Sequence, residues 1–337
     1  MKCFIIGLFI LLFVSVGVIF FVRNMPVRDL VVSPLGKIVQ KPLEKYTINN
    51  LSQRSYTPVQ IIFDETTATT AAYTVRNFHY RSDGLTATGV AHVPNSVSPV
   101  NKKPVIVQFR GYVDQTQYTP GEGTQHSAEV FAQNGFITLA PDFLGYGGSD
   151  KPSTNVFEER FQTYTAALNL LASVSTIPFA DAGRVGIWGH SNGGQIALTV
   201  LEIIGKPIPT VLWAPVSKPF PYSILYYTDE ADDHGKMLRR VLAEFEKDYD
   251  VELYSLTNYL DRITGVLQIH QGSADEAVPQ KWSDDLVAVL KANEKDLPAG
   301  GAGISYFVYT GADHNMTGVW NTVVARDVQF FRKTLLQ

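Results

Sequence analysis

Three short stretches of this chain carry the residue types of nucleophilic catalysis. The first reads Gly189-His190-Ser191-Asn192-Gly193-Gly194 and lies between an apolar run at 184–188 and a helix-patterned run at 192–204. Gly-x-Ser-x-Gly between a strand and a helix is the nucleophile elbow. Glycine is needed at 189 and 193 because a Cβ at either place would strike neighbouring chain in so tight a turn. The turn pushes the Ser191 hydroxyl into a cleft, and the positive end of the following helix favours an anion developing there. The second stretch, His270-Gln271-Gly272-Ser273-Ala274-Asp275-Glu276, closes a strand-like run at 265–270. The third, Gly311-Ala312-Asp313-His314-Asn315, closes another at 304–309. An alcohol, a carboxylate and an imidazole thus follow three strands in the order Ser191, Asp275, His314, the order of hydrolases built on an elbow. A carboxylate that steadies an imidazole lets it take the alcohol's proton during attack on a carbonyl carbon.

Other residues of the same types lie nearby or elsewhere in the chain. Glu276 and Asp313 are alternative carboxylates, but Asp275 comes first after its strand. His79, His92, His126, His190, His234 and His270 read as structural or surface histidines, with His190 expected to turn away from Ser191. Donors for the oxyanion of a tetrahedral intermediate should come from the loop after the strand at 105–109, which reads Arg110-Gly111-Tyr112. The backbone N–H groups of Tyr112 and Asn192 are the candidates. Such donors act on charge present only in the transition state.

These residues need a scaffold that brings strand ends together, and the hydrophobic pattern supplies one. Residues 72–82 and 85–94 are β-rich and meet at Asp83-Gly84, a strong hairpin signal. Strands are expected at 104–109, 136–140, 184–188, 210–213, 265–270 and 304–309. Helices are expected at 126–133, 156–174, 192–204, 280–291 and 317–336. That alternation predicts an α/β fold, a mainly parallel sheet covered by helices on both faces, with the hairpin as its antiparallel edge. Residues 217–262 interrupt the alternation and read as a small helical cap over the C-terminal strand edge, with helices at 236–247 and 253–263. Its aromatics, Phe220, Tyr222, Tyr226, Tyr227, Tyr249, Tyr254 and Tyr259, either line a pocket or pack the cap down. The acidic run Asp229, Glu230, Asp232, Asp233 reads as a solvated loop.

Composition narrows the partners. The net charge of −4 from 28 basic and 32 acidic residues argues against nucleic acid. The single cysteine, Cys3, excludes disulfides within the chain, cysteine zinc sites and iron–sulfur clusters. The histidines show no metal-ligand spacing. Residues 3–22 form an uncharged apolar run of 20, ~30 Å long as a helix and sufficient to cross a bilayer. The run exceeds the ~7–15 apolar residues of a signal peptide and ends without a small-x-small cleavage site. We therefore expect a transmembrane anchor at 1–23 and a proline-rich tether and irregular lead-in at 24–60. The catalytic domain, 61–337, is expected on the extracytoplasmic side.

The stretches Tyr80-Arg81-Ser82-Asp83-Gly84-Leu85, Ala140-Pro141-Asp142-Phe143-Leu144-Gly145-Tyr146-Gly147-Gly148-Ser149-Asp150, the elbow and the Asp275 and His314 segments span residues ~70–337. Together they resemble an α/β-hydrolase of the prolyl oligopeptidase catalytic-domain type, close to the dienelactone-hydrolase and acyl-esterase branches. The resemblance implies a Ser191–His314–Asp275 triad, no cofactor, and a small ester or short peptide as substrate. One departure stands out: the oxyanion strand of such enzymes usually ends in His-Gly-Gly, and here it ends in Arg110-Gly111-Tyr112. The expected function is a membrane-anchored serine hydrolase of ester or peptide bonds. The alternatives are an esterase without peptidase activity and a non-catalytic binding protein on the same fold.

Overall fold

The computed structural model describes residues 30–32, 38–228, 231–293 and 303–336. A nine-stranded sheet runs through it, with strands β3 (Ile62–Thr69), β4 (Tyr73–Ser82), β5 (Leu85–Pro94), β6 (Lys103–Phe109), β7 (Ile137–Pro141), β8 (Ala180–His190), β9 (Thr210–Trp213), β10 (Leu267–Gly272) and β11 (Ile304–Tyr309). Their order is β11-β10-β9-β8-β6-β7-β5-β4-β3. The pairs from β7 across to β11 are parallel, and β5, β4 and β3 add antiparallel strands at the far side. A small antiparallel pair, β1 (Leu30–Val32) and β2 (Ile38–Gln40), stands apart from the sheet.

Central strands read as continuous apolar runs because both their faces are covered. Val107 on β6 stands opposite Ile187 on β8 and Leu139 on β7, and all three are fully buried. On one face lie α3 (Val156–Ser173) and α4 (Asn192–Ile204), which contribute Phe157, Phe161, Leu198 and Leu201 to a core. On the other lie α2 (Gln125–Gln133) and α7 (Trp320–Leu335), where Phe131 and Phe331 pack edge to face at 5.5 Å. The helix α6 (Gln280–Asn293) joins β10 towards β11. Local chemistry sets the boundaries. The Asn155 side chain accepts from Phe157 and Glu158 N–H to start α3, and Gly205 in the left-handed region ends α4. Asp83 and Gly84, at φ 51° and 85°, make the tight β4–β5 turn.

Three expectations change. The hairpin β4–β5 is not the sheet edge, because β3 pairs with β4 outside it. That strand is rich in threonine and largely exposed, so it lacks the apolar alternation that marks a strand. The lead-in is not irregular over its second half. Residues 48–53 form α1 (Ile48–Gln53), and Leu43, Tyr46, Ile48 and Leu51 are buried. The hydroxyl of Tyr254 donates to the Leu43 carbonyl at 3.1 Å, and the Leu43 N–H donates to the Tyr249 hydroxyl at 3.2 Å, tying this segment to the cap. The second cap helix resolves into short 3₁₀ turns, Val251–Tyr254, Leu256–Asn258 and Leu260–Arg262. Ahead of them runs the cap helix α5 (Lys236–Phe245). Among the described residues no helix is long and apolar enough to cross a membrane, and the run at 3–22 lies outside them.

Candidate active site

Parallel strands point their C-terminal ends the same way, so the loops after β6, β8, β10 and β11 share one sheet edge. The chain leaves β6 for β7 on one side and returns to β8 on the other. Open α/β sheets place their ligands in the crevice where the strand order reverses in this way.

Ser191 sits between β8 and α4 at φ 57°, ψ −119°, a conformation that costs a non-glycine residue strain. Its main chain is fixed on both sides: Ser191 N–H donates to Trp213 O at 2.9 Å and Val216 N–H donates to Ser191 O at 3.1 Å. The two elbow glycines allow the turn to close. A Cβ on Gly193 would stand 2.6 Å from the Arg110 carbonyl oxygen, and one on Gly189 would stand 2.6 Å from the Gly193 carbonyl oxygen.

Asp275 and His314 arrive from the next two strand ends. The loops after β10 and β11 are laced together, with Ser273 N–H donating to Tyr309 O and Ala274 N–H to Ala312 O, both at 3.0 Å. This brings His314 Nδ1 to 3.0 and 2.9 Å from the two oxygens of Asp275. The carboxylate is held by three further donors. Oδ1 accepts from the N–H groups of Ala277 at 2.9 Å and Val278 at 2.7 Å, and Oδ2 accepts from Gln271 Nε2 at 3.0 Å. The Gln271 oxygen in turn accepts from Ser283 Oγ at 2.7 Å. Asp275 is 8% exposed, so water cannot compete for these contacts. The rival carboxylate Asp313 instead accepts from the N–H groups of Asn315 and Thr317, and the structure records no side-chain contact between it and His314.

Sequence reasoning missed the part His190 plays. Its Nε2 lies 3.0 Å from the His314 carbonyl oxygen, which can only accept, so His190 carries its proton on Nε2. The two imidazole rings are 4.7 Å apart. Burial, reinforced by the neighbouring His314, pushes the His190 pKa down to about 4, so the ring is neutral at physiological pH. It pins the main chain of His314 without adding charge. Position 190 is variable in the elbow pattern, so nothing in the motif marked it.

The oxyanion loop passes against the elbow. A Cβ on Gly111 would stand 3.2 Å from the Ser191 Cβ. Tyr112 and Asn192 line one pocket, and among the described residues neither of their N–H groups finds a main-chain acceptor. Arg110, where a histidine was expected, is buried between aromatic rings, with its guanidinium carbon 4.1 Å from the Tyr146 ring centre and 4.5 Å from that of Tyr118. It donates to the carbonyls of Gly111 and Asp142, which fixes the loop. Among the described residues no group of three or more histidines, thiols or carboxylates is placed to hold a metal ion.

The cap aromatics mostly pack. Phe220 meets Phe157, Phe161 and Phe245, and Tyr226 stacks edge-on against Trp282 at 4.8 Å. The cap side chains that line the pocket are Ile224 and Leu238. In the acidic run, Asp232 and Asp233 are exposed and Asp233 accepts from Gly235 and Met237 N–H; Asp229 and Glu230 lie outside the described residues.

The sheet order, the elbow and the strand-end loops define an α/β-hydrolase. Within that class, the sequence model of the prolyl oligopeptidase family matches residues 123–337, and the chain belongs to this family of serine hydrolases. It is 27% identical over 168 residues to the uncharacterized peptidase YtmA of Bacillus subtilis, an alignment covering 49% of this chain and 62% of that protein. Among solved structures, an acetyl xylan esterase from a Paenibacillus species superposes with a TM-score of 0.63 at 17% identity, covering 84% of this chain and 91% of the esterase. The acylaminoacyl peptidase of Pyrococcus horikoshii superposes with a TM-score of 0.58 at 18% identity, covering 78% and 42%. The fold is therefore common to esterases and peptidases alike.

Proposed function

We propose that this protein hydrolyses carboxylic ester or peptide bonds through an acyl-enzyme on Ser191. The observation that carries the reading is the pairing of His314 with a buried, fully hydrogen-bonded Asp275 on the sheet edge that also presents Ser191 from a strained turn. In this mechanism Asp275 holds the His314 Nδ1 proton, which leaves Nε2 free to accept the Ser191 proton as the hydroxyl attacks. The N–H groups of Asn192 and Tyr112 receive the oxyanion. His314 then protonates the leaving group, and water releases the acyl chain by the same steps.

A fluorophosphonate probe tests the nucleophile: labelling in the wild type and none in Ser191→Ala is the expected result. Labelling that persists in the variant removes Ser191 from the mechanism, and absence of labelling in both favours a binding protein on this fold. Comparison of 4-nitrophenyl esters with aminoacyl anilides separates esterase from peptidase. On the length and apolarity of residues 3–22 we also place the protein at a membrane, with its catalytic domain extracytoplasmic. Release of the full chain by alkaline carbonate would count against an integral anchor.

A further inference from the structure

The pocket beside the elbow, about 330 Å³ in volume, has a polar end that its proposed role does not yet use. Its walls are aromatic and aliphatic, with Phe143, Tyr146, Phe157, Ile196 and Leu238 among them. At one side Arg160 on α3, Gln195 on α4 and Tyr164 on α3 form a chain of hydrogen bonds. The direction of that chain follows from donor chemistry alone. A guanidinium can only donate, so Gln195 must present its oxygen to Arg160. Its amide NH₂ must then donate to the Tyr164 hydroxyl, at 2.7 Å. The Tyr164 oxygen is thereby used as an acceptor, and among the described residues its O–H proton has no acceptor of its own. The Arg160 Nε is likewise buried without a partner, and no described carboxylate forms an ion pair with this guanidinium. Arg110 also faces the pocket; its two terminal nitrogens are committed to the carbonyls of Gly111 and Asp142, and its Nε, like that of Arg160, is buried without a partner.

The result is an apolar pocket with surplus donors at one end. Leaving a buried donor unmatched is costly, so the group that belongs there is an acceptor, best of all an anion. Gln195 lies four residues after Ser191, ~6 Å along the helix axis. An acyl chain attached at Ser191 reaches that distance with about the length of a six-carbon diacid. Glu159, the one carboxyl among the pocket's lining residues, does not pair with Arg160, and burial raises its pKa, which eases its protonation beside an incoming anion.

We propose that this pocket is an acyl subsite selective for substrates whose acyl chain ends in a carboxylate or other strong acceptor, with Arg160 as the specificity-determining residue. The proposal rests on the serine-hydrolase reading above. Three esters of equal chain length test it on the full-length protein: 4-nitrophenyl hexanoate, methyl 4-nitrophenyl adipate and the free-acid 4-nitrophenyl adipate. The expected order of kcat/KM is free acid above methyl ester above hexanoate, with about tenfold or more between first and last, the scale of one charge-assisted hydrogen bond. The difference should sit in KM, because the far end of the chain is bound alike in ground and transition states. Arg160→Met should abolish the preference, Arg160→Lys should keep part of it, and Glu159→Gln should increase it. Equal hydrolysis of all three esters by the wild type, lost in Ser191→Ala, overturns the subsite and leaves the hydrolase reading standing. Failure of the wild type to react with esters or with fluorophosphonate overturns both. If Arg160→Met does not fold, the wild-type ratio and stronger product inhibition by adipate than by hexanoate decide the matter.

Discussion

Replacing Asp275 by asparagine changes one oxygen to an NH₂ group and tests the proposed mechanism at its least visible member. Both carboxylate oxygens face donors: Ala277 N–H, Val278 N–H and His314 Nδ1 at Oδ1, and Gln271 Nε2 and His314 Nδ1 at Oδ2. An asparagine keeps its oxygen towards the two main-chain N–H groups, since these cannot turn away. Its NH₂ group then opposes Gln271 and donates to His314 Nδ1. The imidazole responds by moving its own proton to Nε2, the nitrogen that should accept from Ser191. Loss of the working tautomer in this way costs a serine hydrolase about 10⁴-fold in kcat, or about 5 kcal/mol of transition-state stabilisation. The assay is ester turnover across pH 5–9, with circular dichroism to show that Asp275→Asn is folded. Asp313→Asn is the control, because Asp313 is exposed and serves two nearby N–H groups. It should change kcat less than tenfold. A folded Asp275→Asn variant with turnover within tenfold of wild type would refute the assignment of the acid.

Other outcomes can be checked alongside it. Ser191→Ala should lower ester turnover by roughly 10⁶-fold in a burst-free progress curve, since little remains without the nucleophile. Gly193→Ala forces a methyl group against the carbonyls of Phe109 and Arg110, so its thermal melt should show a loss of roughly 3 kcal/mol or more. His92 and His190 both have pKa values lowered from 6.5 to about 4, chiefly by burial. Their unfolded forms bind protons that the folded forms refuse between those values. Stability is therefore complete above about pH 6.5 and falls as pH drops towards 4, by up to about 1.4 kcal/mol per pH unit for each ring. Glu202, whose pKa burial raises, acts in the opposite sense, so the informative quantity is a difference. In denaturant titrations at several pH values, His92→Phe should show a shallower slope than wild type, and an unchanged slope refutes the assignment.

What could be read in the sequence follows physical rules, and so does what could not. The central strands were legible because burial on both faces writes a continuous apolar run bounded by turn residues, as in Val105-Ile106-Val107. The elbow and the Asp83-Gly84 turn were legible because only particular residues tolerate those backbone angles. The outer strand β3 was not, since its exposed threonines carry no inward-facing period. The helix α1 was hidden among prolines, although Leu43, Tyr46, Ile48 and Leu51 are all buried. Within the site, the pairing of His314 with Asp275 agrees with the expectation from chain position. The Gln271 support, the His190 clamp and the Arg160–Gln195–Tyr164 chain could not be read in the sequence, because each joins atoms on separate elements, or on one element through another, whose approach only the packed structure sets.

The molecule contains an internal comparison for the histidine–carboxylate pair that we propose to be reactive. His270 and Asp327 approach to 2.9 Å, the same separation as His314 and Asp275. His270 lies on β10, only five positions before Asp275. The contact is made through different ring nitrogens, Nε2 of His270 and Nδ1 of His314, and only the second is a hydrogen bond, so proximity alone assigns no role. The surroundings differ. Asp327 is fully buried and accepts from the indoles of Trp188 and Trp213 and from Gln268, while His270 Nε2 meets Gln268 Nε2 at 2.9 Å and its Nδ1 meets the Tyr309 hydroxyl at 2.8 Å. Every polar atom recorded there is engaged, under α7, with no opening for a substrate. At the strand end, His314 is partly exposed, Asp275 alone is sealed, and a serine stands in the adjoining turn. The sheet thus seals one histidine beside its carboxylate in mid-strand and offers the other to solvent at its edge. A sequence search for reactive histidines on this fold does better to ask where along its strand a histidine falls than which acid lies nearest to it.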